Sequence, residues 1–559
     1  VPVPLTLPSH ASILTGNYPP THGVRDNGAY RLGDEQVTVA EILTAQGYAT
    51  AAFVGSFVLH RRFGLDQGFE LYDDDTASGA AMLENPEAER SAEAVYASFL
   101  SWLQSYRSQK PFFVWIHLYD PHAPYVPPEP YRTRYARDPY AGEVAYTDAV
   151  VGKIVTALQA RGMWERTLFA VVGDHGEGLG EHEEMTHSLL IYNSTLHVPL
   201  VIHAPGLLPA GRRVDALVRT IDLAPTLLDF LGFSSSAASF GQGVSLRPLV
   251  EGQKADMETL AYSESLYPSL HLGWSALRGL ETEKYHFIRA PRRELYDLEA
   301  DPGETENRAR LLPRLARQLE GKLEELTDAI TLPGVGSRRA IDPETEAKLR
   351  SLGYVSASRS VARGGEEEAP SDPKDKMAIW NQIQLAVFQF HTANYQAALG
   401  TLEKVLRSDK DIPLVYEYLG SCHLRLEEPS RAEGVYRQAM ERGIESPDLH
   451  LQLGLIHQAR HELPDAEREF RMALALDELS VSAHYRLASL LRARRQDTGA
   501  VEHYRRALEI NRRYVYAWNG LGMSLSRLGR HEEALKAFRE AVRAHPQGPR
   551  PYFNLATQL

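Results

Sequence analysis

The chain has 559 residues, more than one hydrophobic core of ordinary size organises, so two or more domains are expected. Its 60 Lys+Arg against 73 Asp+Glu give a formal net charge of -13, which argues against nucleic acid, an anionic membrane surface or another polyanion as partner. The single cysteine, Cys422, excludes an intrachain disulfide and a Cys-rich zinc module and leaves the redox compartment open.

The chain opens at Val1 with Val-Pro-Val-Pro-Leu-Thr, with no signal peptide and no apolar run long enough to span a bilayer. It reads as a truncated start. The compartment is therefore periplasmic or membrane-anchored in a bacterial-type cell if a preceding segment carries a signal, and cytoplasmic otherwise.

Next comes Thr6-Leu7-Pro8-Ser9-His10-Ala11-Ser12-Ile13-Leu14-Thr15-Gly16, then Tyr18-Pro19 and Thr21-His22-Gly23-Val24-Arg25-Asp26-Asn27. A hydroxyl residue just before a Pro-initiated helix sits where free backbone N–H groups and the helix dipole favour an anion. A hydroxyl nucleophile there meets a phosphate or sulfate head-on; a plain N-cap threonine is the alternative.

From Val1 to about residue 298, short apolar β-branched runs alternate with longer amphipathic stretches. That pattern predicts an α/β domain whose mostly parallel central sheet is flanked by helices. Residues 112–118, 168–173 and 198–203 are apolar on both faces and read as buried strands, with His117 packing inside the first. That strand ends in Asp120-Pro121-His122-Ala123-Pro124-Tyr125, where His122 is either a proton-transfer group or a turn-stabilising residue. Residues 141–160 read as a helix with Val144, Ala145, Ala149, Ile154 and Leu158 on its apolar face.

The run Val171-Val172-Gly173-Asp174-His175-Gly176-Glu177 places a carboxylate and an imidazole at the C-terminal end of a strand. This is half of a divalent-metal site or a polar turn. His182, Glu177, Glu181, Glu183 and Glu184 read as a solvated loop. Residues 285–298 suggest a late antiparallel ribbon, followed by a helical segment to about residue 350. Residues 356–376, rich in Ser, Gly, Glu and Pro, read as a linker between domains at 1–355 and 377–559.

Beyond the linker, frames starting at Ile379, Pro413, Pro447, Val481 and Val515 are 34 residues apart, the tetratricopeptide period of an all-α solenoid. The last full frame carries Trp518, Leu521, Gly522, Leu525, Ala534, Phe538, Ala541 and Pro546 at the signature positions, and a partial sixth starts at Pro549 with Tyr552, Leu555 and Ala556. These residues are expected to be core packing, with a protein or peptide partner on the concave face.

The Thr6–Gly16 run resembles the Cys/Ser-x-Pro-x-Arg then Thr-Gly signature of sulfatases, with the nucleophile position on Thr6. It is still more similar to the Thr-x-Pro-x-His form of nucleotide pyrophosphatase/phosphodiesterases, whose threonine is itself the nucleophile. The resemblance to sulfatase-like hydrolases of the alkaline phosphatase superfamily runs from residue 1 to about 355, closing on Leu352-Gly353-Tyr354-Val355. It implies an alkaline-phosphatase-like fold and a metal-dependent hydrolase of sulfate or phosphate esters that forms a covalent threonine ester. By that resemblance Thr6 attacks, His122 protonates the leaving group, and Asn27 and His187 stabilise the transferred group. His10, Asn27 and His187 touch substrate, while Asp174, His175 and Thr6 hold a divalent metal, Ca, Mn, Mg or Zn.

Departures from the family are equally informative. Threonine cannot yield the formylglycine of true sulfatases. Gly47-Tyr48-Ala49-Thr50 leads into Ala51-Ala52-Phe53-Val54-Gly55-Ser56 rather than Gly-Lys-x-His, and the family's early acidic metal-binding strand lies before Val1. These shift the expectation toward phosphate esters, with a small-molecule, glycan or lipid ester as substrate. Competing readings are a two-metal phosphodiesterase or phosphoryl transferase, with Asp120 and His122 in the second ligand set, and a catalytically silent domain beneath a repeat scaffold.

Overall fold

The computed structural model describes all residues except 28–29, 76–88, 254–258, 333–369, 513, 545–552, 554 and 558–559. The chain forms two compact units, the first built chiefly from Val1–Pro268 and the second chiefly from Ala378–Leu559.

In the first unit, β1 (Ala49–Phe53), β2 (Leu71–Asp73) and β3 (Phe112–Ile116) form a parallel sheet in the order β2-β1-β3. Central β1 is buried along its whole length. Its Ala51 and Phe53 meet Val95, Phe99 and Leu103 of the helix Ala92–Ser105 and Ile154 and Leu158 of the helix Pro139–Ala160. Asp138 starts that second helix by accepting from the Ala141 amide at 3.0 Å, with Pro139 in the first turn. Its buried face is Tyr146, Val150, Ile154 and Leu158, one residue every four. Val144, expected on that face, is 44% exposed, because the apolar stripe follows Tyr146 rather than the alanines.

Strand burial also differs from expectation. β3, β4 (Phe169–Val172) and β5 (Leu200–His203) are only partly buried, and Val201 is 61% exposed. Among the described residues β3 is a sheet edge, and β4 pairs with β5 alone, antiparallel, in register Val171↔Val201. Among the described residues these strands have fewer neighbours than an apolar run on both faces suggests.

The late ribbon belongs to a larger antiparallel sheet of β6 (Ala261–Ser265), β7 (Leu277–Glu281), β8 (Tyr285–Arg289) and β9 (Glu294–Asp297), in sequence order. The helix Pro313–Ile330 lays Ala316, Leu319, Leu323 and Ile330 onto Tyr262, Leu280, Phe287 and Leu295. β6 escaped the sequence pattern because Ser263, Glu264 and Ser265 are buried polar residues. Pro373–Lys376, within the stretch read as linker, is a helical turn of the first unit, where Lys374 Nζ lies 3.0 Å from Asp372 Oδ1 and 3.6 Å from Glu294 Oε1. Residues 356–369, Leu352-Gly353-Tyr354-Val355, Pro546, Pro549 and Tyr552 lie outside the described residues.

The second unit stacks helix pairs in the frames read from the sequence: Met377–His391 with Tyr395–Ser408, Pro413–Arg425 with Pro429–Glu441, and Pro447–Ala459 with Leu463–Leu476. Val481–Ala493 with Asp497–Ile510 and Val515–Arg527 with His531–Ala544 complete the described array. A Cβ on Gly420, Gly454 or Gly522 would lie 2.2, 2.5 or 2.5 Å from the ring of Tyr436, Phe470 or Phe538, so glycine there is what lets the paired helices close. In three frames the fourth position ties the helix pair to the chain before it. Tyr416 Oη donates to Lys410 O at 2.9 Å, His484 Nε2 to Glu478 O at 3.0 Å and Trp518 Nε1 to Arg512 O at 2.7 Å.

Candidate active site

Thr6 is the first helical residue of Thr6–Thr15, with Leu5 at the N-cap and no side chain of its own capping the helix. The N-cap alternative for Thr6 is thus corrected, and its hydroxyl is free for other work. Asn27 caps the helix from a distance: its Oδ1 accepts from the Leu7 amide at 2.9 Å. Asn27 Nδ2 is buried and has no hydrogen-bond partner among the described residues, a donor held ready beside Thr6.

Thr6 Oγ1 lies 3.3 Å from His175 Nε2. His175 Nδ1 donates to Gly176 O at 2.9 Å, which makes Nε2 of the neutral ring an acceptor for the Thr6 hydroxyl proton. Asp174 Oδ2 stands 3.6 Å from the same Nε2. Ser9 Oγ donates to Asp174 O at 2.5 Å, locking the loop after β4 onto the first helix. Gly176 allows this turn, since a Cβ there would lie 2.2 Å from Ser194 O.

One helical turn after Thr6, His10 Nδ1 lies 2.8 Å from Thr6 O and 3.5 Å from Asp174 Oδ2. The His10 ring meets His117 edge-on at 5.0 Å between centroids, and His10, His117 and Asp174 bring potential ligand atoms within 4.8 Å of one another. Hydrogen bonding separates their roles. The Nδ1–H of His10 donates to the Thr6 carbonyl and leaves Nε2 a lone pair. His117 Nδ1 instead accepts from the Gly55 amide at 3.3 Å, so its neutral ring carries the proton on Nε2 and is a donor. Asp174 and His175 therefore fit a cation better than His117 does.

His117 does not pack inside a strand as expected; it follows the last residue of β3 and enters this cluster. Its position just past the C-terminal end of an apolar strand was the available signal.

His122 Nδ1 faces Ala123 O at 2.7 Å and Tyr119 Oη at 2.8 Å, and its Nε2 is buried with no partner among the described residues. Burial, then the neighbouring His187, pushes its pKa down to about 4. The neutral ring therefore offers Nε2 as an acceptor. His187 is built the opposite way. Its ring lies 4.2 Å from His175 and 5.2 Å from His122, and its Nδ1 pairs with Glu177 Oε1 at 3.0 Å. Burial disfavours its charge, but Glu177 outweighs burial and raises its pKa. Burial, then His10, pushes His117 down to about 3, and burial lowers His175 as well. Burial works against the Asp174 carboxylate too, yet His175, His10 and His117 together hold it below the usual range.

Two acidic residues read as solvated loop are corrected. Glu177 is partnered with His187, each side chain 6% exposed, and Glu184 is 1% exposed. Asp120, considered for a second ligand set, instead accepts from the Ala92 amide at 2.9 Å and caps the helix Ala92–Ser105.

Residues 1–233 match the sulfatase family model, residues 180–329 the model described as N-sulphoglucosamine sulphohydrolase, C-terminal, and residues 392–447, 451–514 and 500–549 the tetratricopeptide repeat model. The N-terminal unit is a sulfatase-family domain. The C-terminal unit is an array of tetratricopeptide repeats.

The sulfatase region is 28% identical over 219 residues to the Delta 4,5-hexuronate-2-O-sulfatase of Bacteroides thetaiotaomicron, covering 38% of this chain and 45% of that protein. The match thus spans less than half of that relative. The Ulvan-active sulfatase of Formosa agariphila is 27% identical over 382 residues, covering 58% of this chain and 73% of that protein. A solved structure in complex with its substrate D-glucosamine-2-N,6-O-disulfate shares the fold, with a TM-score of 0.50, 21% identity, and coverage of 60% of this chain and 90% of that one.

Proposed function

We propose that the sulfatase-family unit hydrolyses an anionic ester of sulfuric or phosphoric acid, with the Thr6 hydroxyl as nucleophile. The contact between Thr6 Oγ1 and the acceptor nitrogen of His175, beside Asp174, carries this reading. The relatives are named as sulfatases acting on sugars or polysaccharides, which supports a sulfated or phosphorylated saccharide as substrate.

In this reading the Thr6 hydroxyl gives its proton to water as Oγ1 attacks; His175 Nε2, whose one lone pair would be on the ion, does not take it. Asn27 Nδ2 and the N–H of His187 not taken by Glu177 would stabilise the equatorial oxygens of the transferred group. His122, expected to protonate the leaving oxygen, is held toward the neutral form, so that oxygen would take its proton from water, and His122 Nε2 would accept a proton from water in the step that frees the threonine ester. Asp174 and His175, with Thr6, would hold the divalent ion typical of the family, which supplies Lewis-acid stabilisation when bound. A carboxylate with imidazoles suits zinc or manganese better than calcium. The repeats supply a surface for a protein or peptide partner. No described helix is long and apolar enough to cross a membrane.

The test is turnover of an aryl sulfate, an aryl phosphate monoester and an aryl phosphate diester by the full chain with zinc, manganese or calcium, beside Thr6→Ala. Metal-dependent turnover should fall at least ~10⁴-fold in Thr6→Ala. Absence of turnover on every ester with metal demonstrably bound would replace this reading with the scaffold one.

A further inference from the structure

The loop between Gly176 and Leu189 carries His187, and its backbone is held in an uncommon shape. His182, Glu183 and Ser188 have φ of 51°, 65° and 100°, and none is glycine. The Gly178 amide bonds Thr186 O at 2.6 Å and the Gly180 amide bonds Glu184 O at 2.9 Å, closing the segment on itself. A Cβ on Gly178 would lie 2.6 Å from Thr186 O and 2.7 Å from Glu184 O. The His182 ring stacks on Tyr192 at 3.5 Å between centroids, and Ser265 Oγ donates to Ser188 O at 2.7 Å.

At the centre of this loop lies a carboxyl group that the proposed chemistry does not use. Glu184 Oε1 accepts from the Leu189 amide at 2.9 Å and from the Leu190 amide at 3.3 Å, and Oε2 lies 3.3 Å from the latter. Leu189 and Leu190 are buried, so without this acceptor their amides would face neither water nor a partner. These two amides follow Ser188 directly. A side chain that fixes them fixes the peptide plane that follows Ser188, and from that anchored plane the Ser188 φ of 100° sets the direction in which His187 leaves the backbone.

We propose that Glu184 is a positioning residue for this site: by accepting from Leu189 and Leu190 it holds the strained loop that presents His187 to Glu177 and to the cluster around Thr6. The inference rests on the reading that His187 acts on the ester. An uncharged acceptor of the same shape should serve equally well, because the geometry uses lone pairs rather than charge.

The experiment compares Glu184→Ala and Glu184→Gln in the full chain by hydrogen exchange across residues 177–192 and by steady-state turnover of the best aryl ester. Glu184→Ala should speed exchange in that segment and lower kcat by ~10²-fold, the effect of misplacing a reacting group by about 1 Å, with KM changed less than about threefold. Glu184→Gln should restore both the protection and most of kcat. Wild-type exchange and kcat in Glu184→Ala, or a Glu184→Gln as impaired as Glu184→Ala, would overturn the assignment. If Glu184→Ala does not fold, protected and active Glu184→Gln is still required. If wild type turns over no ester, the functional reading fails, while the exchange comparison still decides whether Glu184 holds the loop.

Discussion

An ion pair stands two residues before Asn27, and removing it tests whether it anchors the loop that carries Asn27. The Arg25 guanidinium makes a two-pronged contact with the Glu264 carboxylate on β6, with the side chains 20% and 1% exposed. Tyr262 Oη adds one more donor to Glu264 at 2.7 Å. Arg25→Met would leave a buried carboxylate with only that hydroxyl as side-chain partner among the described residues. Breaking one side of a buried pair costs about 3–5 kcal/mol, whereas replacing both sides by apolar groups is often close to neutral. Denaturant titration should show Arg25→Met losing that amount at unchanged slope, and Arg25→Met/Glu264→Met recovering most of it. Turnover should fall in the single variant, because the loop that brings Asn27 Oδ1 to the Leu7 amide is released. A single-variant cost under about 1 kcal/mol would put the pair in the class of surface ion pairs and refute its role in holding Asn27.

In the repeats, Gly454→Ala should destabilise by about 1–3 kcal/mol through overpacking against the Phe470 ring, despite a helix-propensity gain of about 1 kcal/mol. A rise in the denaturant midpoint would show that the ring yields. The Glu184 carboxyl, pushed by burial from 4.5 up to about 8, binds its proton more tightly folded than unfolded. Its contribution to stability is therefore undiminished below 4.5, falls as pH rises through the window to about 8, and is flat above. Glu184→Gln should gain stability relative to wild type across that window, by up to ~1.4 kcal/mol per pH unit; parallel stability curves would contradict the argument.

The features legible in the sequence were those that local patterns record. The repeat period survives because each frame must place a small residue between its paired helices, glycine opposite an aromatic in three of them, as Gly454 is opposite Phe470, and Ala488 in the frame starting at Val481. Thr6 and Asp174-His175 were readable because a helix N-terminus and a strand C-terminus are where such groups are presented. Glu177, Glu184 and Glu264 were not, since glutamate is ordinarily exposed and only tertiary contacts supply the partners that let it be buried. The exposure of Val201 was unreadable for the converse reason: an apolar strand looks the same whether or not it has neighbours on both sides.

The charge balance of the cluster bears on its chemistry. Asp174 and Glu177 are carboxylates, and Thr6, His10, Asn27, His117, His122, Asp174, His175, Glu177 and His187 include no lysine or arginine. With His117, His122 and His175 held toward the neutral form, the positive potential available to an anionic ester is the helix N-terminus, the Asn27 amide and the His187 ring, whose pKa Glu177 raises, set against two carboxylates. That sum does not favour an anion. A divalent ion on Asp174 and His175 would reverse its sign. Where the sulfatase signature has arginine this chain has His10, and histidine supplies a charge only when protonated. The substitution shifts the task of neutralising the ester from a fixed guanidinium to the ion and to His187, which makes the Glu177 pairing and the loop held by Glu184 matter more here than they would beside an arginine.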